Sequence, residues 1–234
     1  MRKFLLGASA LALASGLAGA AQAVPVAVAV AFKQDAGFVQ TTPVNSLVPG
    51  SYTYSASTAN YTFNGSMIGS PLLPQGYFDT TNVNVEYTGE SGLHILDVWI
   101  TQSNLSSPQG TASFTGGFTT NTWTSGTVEV TEEVRIDPLN NLFFSGTQVG
   151  QQDFMSPVSA MAFASAPVTL NGLYSETVHY TIRTNAAGAS SNNTIDITVP
   201  EPASLGLVGV GLAALGFLRR RDKNNDAAAP IATA

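Results

Sequence analysis

Four stretches of this chain leave little room for anything but β-structure. Leu93-His94-Ile95-Leu96-Asp97-Val98-Trp99-Ile100 is apolar on both faces and reads as a central strand. Gly126 to Ile136, Glu176 to Arg183 and Asn193 to Val199 alternate apolar with polar residues, as strands with one face in a core and one in water must. Shorter candidates lie at Tyr61 to Phe63, Val83 to Tyr87, Thr111 to Phe118, Leu142 to Phe144 and Val158 to Phe163. Asn64-Gly65, Pro108-Gln109-Gly110, Asp137-Pro138 with Asn140-Asn141, and Asn171-Gly172 read as turns between them. Val24 to Val30 fits a linker or a first strand. About ten strands with no helical periodicity between them predict an all-β fold, an antiparallel β-sandwich of jelly-roll or immunoglobulin-like type.

The core of that sandwich has to hold by burial alone, because none of the 234 residues is cysteine. Disulfides, thiolate metal sites, a cysteine nucleophile and a lipid-modified N-terminal cysteine are excluded with it. The length suits one domain with appendages at both ends.

Both appendages carry an address. Met1-Arg2-Lys3 is a short basic region, Phe4 to Leu17 is apolar, and Ala21-Gln22-Ala23 places small residues where a signal peptidase inspects the chain, so residues 1–23 read as a signal peptide cut after Ala23. At the other end, Ala203 to Leu218 contains no charge and Arg219, Arg220 and Arg221 follow directly. As a helix this run spans roughly 24 Å, a marginal membrane crossing that snorkelling arginines extend. The positive-inside rule puts the arginines in the cytoplasm and everything before Pro202 outside, the orientation the signal peptide also demands.

Val199-Pro200-Glu201-Pro202, an apolar small-residue run and an arginine cluster together resemble the PEP-CTERM sorting tail, the substrate signal of bacterial exosortases. The resemblance covers residues 199 to 221. It implies recognition of Pro200, Glu201 and Pro202 by a multi-spanning transpeptidase-like enzyme, cleavage near that tripeptide, and delivery of the upstream domain to the cell surface or exterior. Exosortase systems accompany exopolysaccharide production, which makes exopolysaccharide a candidate partner. The same tail occurs on some ice-binding proteins. This sequence departs from the pattern in one respect, since Asp222 to Ala234 extends beyond the arginines as a cytoplasmic tail. The tripeptide has a physical logic of its own: prolines either side of Glu201 remove two amide donors and keep the backbone extended, open to a protease-like groove.

Any further activity belongs to residues 24–198. There Lys33, Arg135 and Arg183 stand against twelve carboxylates, a net charge of about −9 that is unsuited to nucleic acid. No catalytic, cofactor or metal pattern emerges. His94 and His179 lack ligand spacing, and Gly89-Glu90-Ser91-Gly92 resembles a nucleophile elbow only in composition. Among the acids, Glu129, Glu132, Glu133 and Asp137 cluster in one strand and its exit, where Glu129, Glu133 and Arg135 share a face and Glu132 interrupts the apolar face of Val128, Val130, Val134 and Ile136. A calcium site or half of a glycosidase pair is one reading, and a solvated strand with a bulge at Glu132 is the favoured one. Asp97, set between Ile95 and Trp99, needs a hydrogen-bonding partner if buried. Of the aromatic residues, Trp99 reads as core, while Trp123, in a threonine-rich stretch, is placed for exposure and for contact with a sugar ring.

Three functions fit these readings. The first is a non-enzymatic exported surface or matrix protein; the second a carbohydrate-binding module, which an exposed aromatic strip at Trp123 favours; the third a secreted glycoside hydrolase, which needs two carboxylates roughly 5–10 Å apart in a cleft. An ice-binding surface is a remote fourth, lacking a regular Thr-x-Thr ladder.

Overall fold

The computed structural model describes residues 25–155 and 160–199. The expected signal peptide with Ala21 and Ala23, the motif Pro200-Glu201-Pro202, the span 203–218, Arg219 to Arg221 and the extension 222–234 lie outside the described residues. Thirteen strands are described: β1 (Ala27–Gln34), β2 (Gln40–Thr42), β3 (Asn45–Val48), β4 (Ser51–Ser57), β5 (Tyr61–Ile68), β6 (Phe78–Tyr87), β7 (His94–Leu105), β8 (Gly110–Trp123), β9 (Thr127–Asp137), β10 (Thr147–Phe154), β11 (Ala160–Leu170), β12 (Tyr174–Thr184) and β13 (Ser190–Thr198). Among the described residues no helix is long and apolar enough to cross a membrane.

The strands form two antiparallel sheets, one of six strands in the order β10-β9-β12-β7-β1-β2 and one of seven in the order β11-β8-β13-β6-β5-β4-β3. β6 pairs with β13, β7 with β12, β8 with β11 and β9 with β10, successive pairs falling in alternate sheets. That nesting is jelly-roll winding, so the jelly roll is the sandwich type adopted. β1 and β2 widen one sheet beside β7, and β5, β4 and β3 widen the other beside β6.

Alternation explains the core. Leu96, Val98 and Ile100 of β7, Val130, Val134 and Ile136 of β9 and Val178, Tyr180 and Ile182 of β12 point inward from the six-stranded sheet. Tyr61 and Phe63, Phe78, Phe114 and Phe118, and Ile195 meet them from the other. Burial of this many large side chains, at about 25 cal/mol per Å² of apolar surface, replaces the disulfides the chain cannot form.

Several expectations need correction. Asn64-Gly65 is no turn: both residues sit inside β5, opposite Ser55 and Tyr54, and a Cβ on Gly65 would meet the Tyr54 hydroxyl oxygen at 2.6 Å. The glycine is there for the tyrosine to pass over. Leu142 to Phe144 is loop and not strand, with Phe143 at a positive φ of 69°. β4 and β10 carry too many Ser, Thr and Gln residues to have been legible as strands, yet each pairs along its length. Glu132 is neither solvated nor bulged. It is fully buried, and the β12–β9 register runs unbroken through Tyr180↔Glu132.

Candidate functional site

The sandwich presents two outward faces. That of the six-stranded sheet gathers Lys33, Arg135 and Arg183, all three cations of the domain, and matches each to a carboxylate: Lys33 to Asp97 at 3.7 Å, Arg135 to Glu133 at 2.7 Å, Arg183 to Glu129 at 2.6 Å. At its centre, one cross-strand row runs Ala31, Trp99, His179, Glu133, Gln151. His179 Nδ1 lies 3.2 Å from Glu133 Oε2, and its Nε2 lies 3.1 Å from Asp97 Oδ1. Thr181 donates a further hydrogen bond to Asp97 at 2.7 Å. Burial alone would lower the imidazole pKa, but the two carboxylates outweigh it and hold it above the ordinary histidine value. Burial likewise pushes Asp97 and Glu133 up, and the bonds from His179, with Thr181 or Arg135, bring both below their ordinary values.

This arrangement is chemically closed. Both imidazole nitrogens face carboxylates, which leaves no free nitrogen to act as a general base. The gap between Asp97 and Glu133, where a glycosidase would need its substrate, is filled by the ring itself. Phe144 caps Trp99 edge-on at 4.7 Å, and the Phe143 N–H donates to Thr101 Oγ1, so the β9–β10 loop folds over that end of the face. His94 lies at the start of β7, stacked on Tyr87 with ring centroids 5.3 Å apart, and its Nδ1 meets Asp35 at 3.0 Å.

The outward face of the seven-stranded sheet is open and almost uncharged. Ser55, Asn64, Asn84, Asn192 and Thr122 stand directly opposite one another across five strands. Their amides run head to tail: Asn121 Nδ2 donates to Asn192 Oδ1 at 2.7 Å, Asn192 Nδ2 to Asn84 Oδ1 at 2.6 Å, and Asn84 Nδ2 to Asn64 Oδ1 at 3.3 Å. A depression of about 300 Å³ on one side of Asn64 and Asn84 is lined also by Thr62, Glu86, Thr122 and Asn192. One of about 380 Å³ on the other side is lined by Asn45, Thr53, Ser55, Ser66 and Asn82 with the same two asparagines. Further along this face Asp79 and Asp196 sit opposite each other. Burial, then the hydrogen bond and charge of Asp79, push Asp196 up to about 7.

Trp123 is not on this surface. The alternation that turns Thr119 outward would carry position 123 outward as well, but the β13–β8 register shifts between Asn192 and Asn193, and Asn121 is the extra residue. Asn121 and Thr122 therefore both face out, and Trp123 packs against the core, its Nε1 buried. Trp99 is 8 % exposed, so neither tryptophan belongs to an exposed strip. Reading single strands did not find the asparagine row, because its members come from four strands; Asn64 was read as part of a turn, and Asn84 only as a position of the short candidate Val83 to Tyr87.

Fold and surface thus define a jelly-roll sandwich with one self-neutralised face and one open amide-rich face, whose last strand leads straight into the tail. Residues 198–221 match the PEP-CTERM protein-sorting motif, so the chain carries that signal, and the signal implies an exported protein, made as a membrane-anchored precursor and processed by an exosortase. No curated protein matches the sequence. Among solved structures, a xylan-binding domain from Paenibacillus barcinonensis is similar at 10 % identity and a TM-score of 0.32, covering 68 % of this chain and 91 % of that one. The enzymatically active domain of tailspike protein 4 from bacteriophage CBA120 is similar at 13 % identity and a TM-score of 0.31 over 64 % of this chain, which spans only 19 % of that domain. A carbohydrate-binding module of the β-sandwich superfamily is similar at 12 % identity and a TM-score of 0.23, covering 75 % of this chain and 86 % of that one.

Proposed function

We propose that this chain is a non-enzymatic surface or matrix protein, sent out by its signal peptide and sorting tail, whose asparagine face holds a neutral polysaccharide. The observation that carries the proposal is the amide row Asn64-Asn84-Asn192-Asn121, with a shallow depression on either side of Asn64 and Asn84. A primary amide offers two donors and two acceptor sites; Asn84 and Asn121 give their second N–H to the Asn82 carbonyl and to Thr194 Oγ1, so it is Asn64 and Asn192 that keep N–H donors for the hydroxyl groups of a sugar, which both donate and accept. Glu86 is the one charged group lining the depressions, which favours a neutral glycan over an anionic one in a domain already near −9. Exopolysaccharide at the cell exterior is the natural ligand of such a face. An enzymatic role has less support, since the one histidine between two carboxylates on the outer surface is fully engaged by them.

Affinity electrophoresis of the native exported protein through gels containing neutral polysaccharides tests the proposal. Retardation should fall about tenfold in affinity for N84A/N192A, the worth of roughly two hydrogen bonds. Equal retardation of the double variant would move the binding elsewhere, and no retardation by any neutral glycan would remove it.

A further inference from the structure

We infer that β11 is a self-association edge, on which a second copy of this chain adds its own β11 antiparallel. Each sheet ends in two edge strands, and three of the four carry features that discourage strand addition. β2 has 3 residues; β3 has 4 and a register shift; β10 has a register shift at Gln148/Gly150 and the charge of Asp153. β11 has 11 residues, no charge, and an unbroken ladder with β8 from Ala160↔Thr120 to Leu170↔Gly110. Its outward side chains Met161 and Phe163 are 66 % and 69 % exposed.

The register follows from Pro167. A proline within an unbroken ladder must turn its nitrogen away from the paired strand. Backbone direction alternates, so Met161, Phe163 and Ser165 also turn their N–H and C=O groups to the open edge. What fits such an edge is an extended strand, and the segment Ala160–Ala166, Ala-Met-Ala-Phe-Ala-Ser-Ala, is nearly its own mirror about Phe163. A two-fold axis at Phe163 sets Phe163 against its counterpart, Met161 against Ser165, and alanines against alanines at 162/164 and 160/166. Each residue then meets its partner reciprocally, as an isologous contact requires. Pro167 falls one position past the paired stretch, where its missing donor ends the ladder. The two seven-stranded sheets become one continuous sheet, and both asparagine faces lie on it.

The absence of cysteine makes this directly testable on the full chain in detergent. Phe163→Cys, treated with a short bis-maleimide, should give several-fold more covalent dimer than Leu47→Cys on the opposite edge strand. Met161→Cys should cross-link poorly to itself, because two such positions lie about 14 Å apart along the strands, and well when mixed with Ser165→Cys. Circular dichroism checks that each variant keeps its β-signal. Equal yields at positions 163 and 47, or self-linking of Met161→Cys that matches the mixed pair, would overturn the inference.

Discussion

His179 lies flat against Trp99, ring centroids 4.6 Å apart and planes 11° from parallel, while its two nitrogens reach Glu133 and Asp97. An imidazolium on an indole face gains a cation–π attraction in addition to its two charge-assisted hydrogen bonds. The outer face of the six-stranded sheet is therefore locked by one cation shared among three strands. His179→Phe keeps the stack but takes one charge-assisted partner from each carboxylate, leaving Asp97 with Thr181 and Lys33 and Glu133 with Arg135, and we expect it to cost about 1–3 kcal/mol in urea unfolding. A cost no larger than a few tenths would mean that the carboxylates find water as good a partner.

The same cluster sets an acid and a neutral limit. Asp97 and Glu133 have lowered folded pKa values, so their contribution is present above their unfolded pKa and is lost as pH falls through the folded values. His179 has a raised value, so its contribution is complete below its unfolded pKa and is lost as pH rises through the folded one. Between those limits, from about pH 4.5 to 6.5 on unfolded values, the cluster stabilises most. Proton titration by NMR should place the His179 imidazole above an exposed histidine, and a value at or below that reference would contradict the shared-cation description.

Alkaline stability turns on the interior. Glu176 is fully buried, and burial pushes its carboxyl up to about 8 against the partial help of Gln102 and Tyr174. Glu132, also fully buried, accepts the Thr119 N–H across the core and is raised well above its ordinary value by burial. Glu176 is a neutral acid at pH 6, and for both groups the contribution is complete below the unfolded value and is lost as pH rises toward the folded one. Thermal unfolding should show stability falling from about pH 4.5, the unfolded value, to about pH 8, by up to about 5 kcal/mol from Glu176 alone. Glu176→Gln, neutral at every pH, should flatten that slope; an unchanged slope would assign the loss to Glu132 or elsewhere.

The exit of the last strand is fastened. Tyr77 donates its hydroxyl proton to the Val199 carbonyl at 2.7 Å, and Gly76, at φ +91°, lies where a Cβ would come within 2.9 Å of Val199 Cγ2. We expect Gly76→Ala to speed amide exchange at the end of β13 at least tenfold, since it adds backbone strain and a clash at one point. Exchange as slow as in the parent chain would show that Val199 is held by β13 pairing alone.

Glycan binding by amides predicts silent tryptophans. Trp123 packs against the core and Trp99 lies under Phe144 on the other sheet, so saturating polysaccharide should leave tryptophan emission unchanged. A ligand-induced shift in emission would point to an aromatic platform instead.

How much of this the sequence revealed depends on distance along the chain. β7, β9, β12 and β13 were legible because one residue in two, or nearly all, is apolar over six positions or more. The choice between jelly-roll and immunoglobulin-like winding was not, since it depends on pairings such as β6 with β13 that join residues over 100 positions apart. Trp123 misled because a single bulge residue, Asn121, reverses every side chain after it. Glu132 misled because a carboxyl in a strand is ordinarily solvated, and only the approach of the Thr119 N–H from the opposite sheet makes its burial tolerable. Asp97 was rightly expected to have partners, although His179 as that partner could be found only in three dimensions.

Among the described residues the first strand, β1, starts at Ala27 and the last, β13, ends at Thr198, where the match to the sorting motif begins. We propose that this β domain is the cargo the sorting tail delivers. The intact mass of the native protein, taken separately from membranes and culture medium with terminal peptides sequenced, tests this most directly. A secreted species running from Val24 to near Pro200–Pro202 is the predicted result. A sole species that keeps Arg219 to Ala234 in the membrane would contradict it, and the tail would then be an anchor.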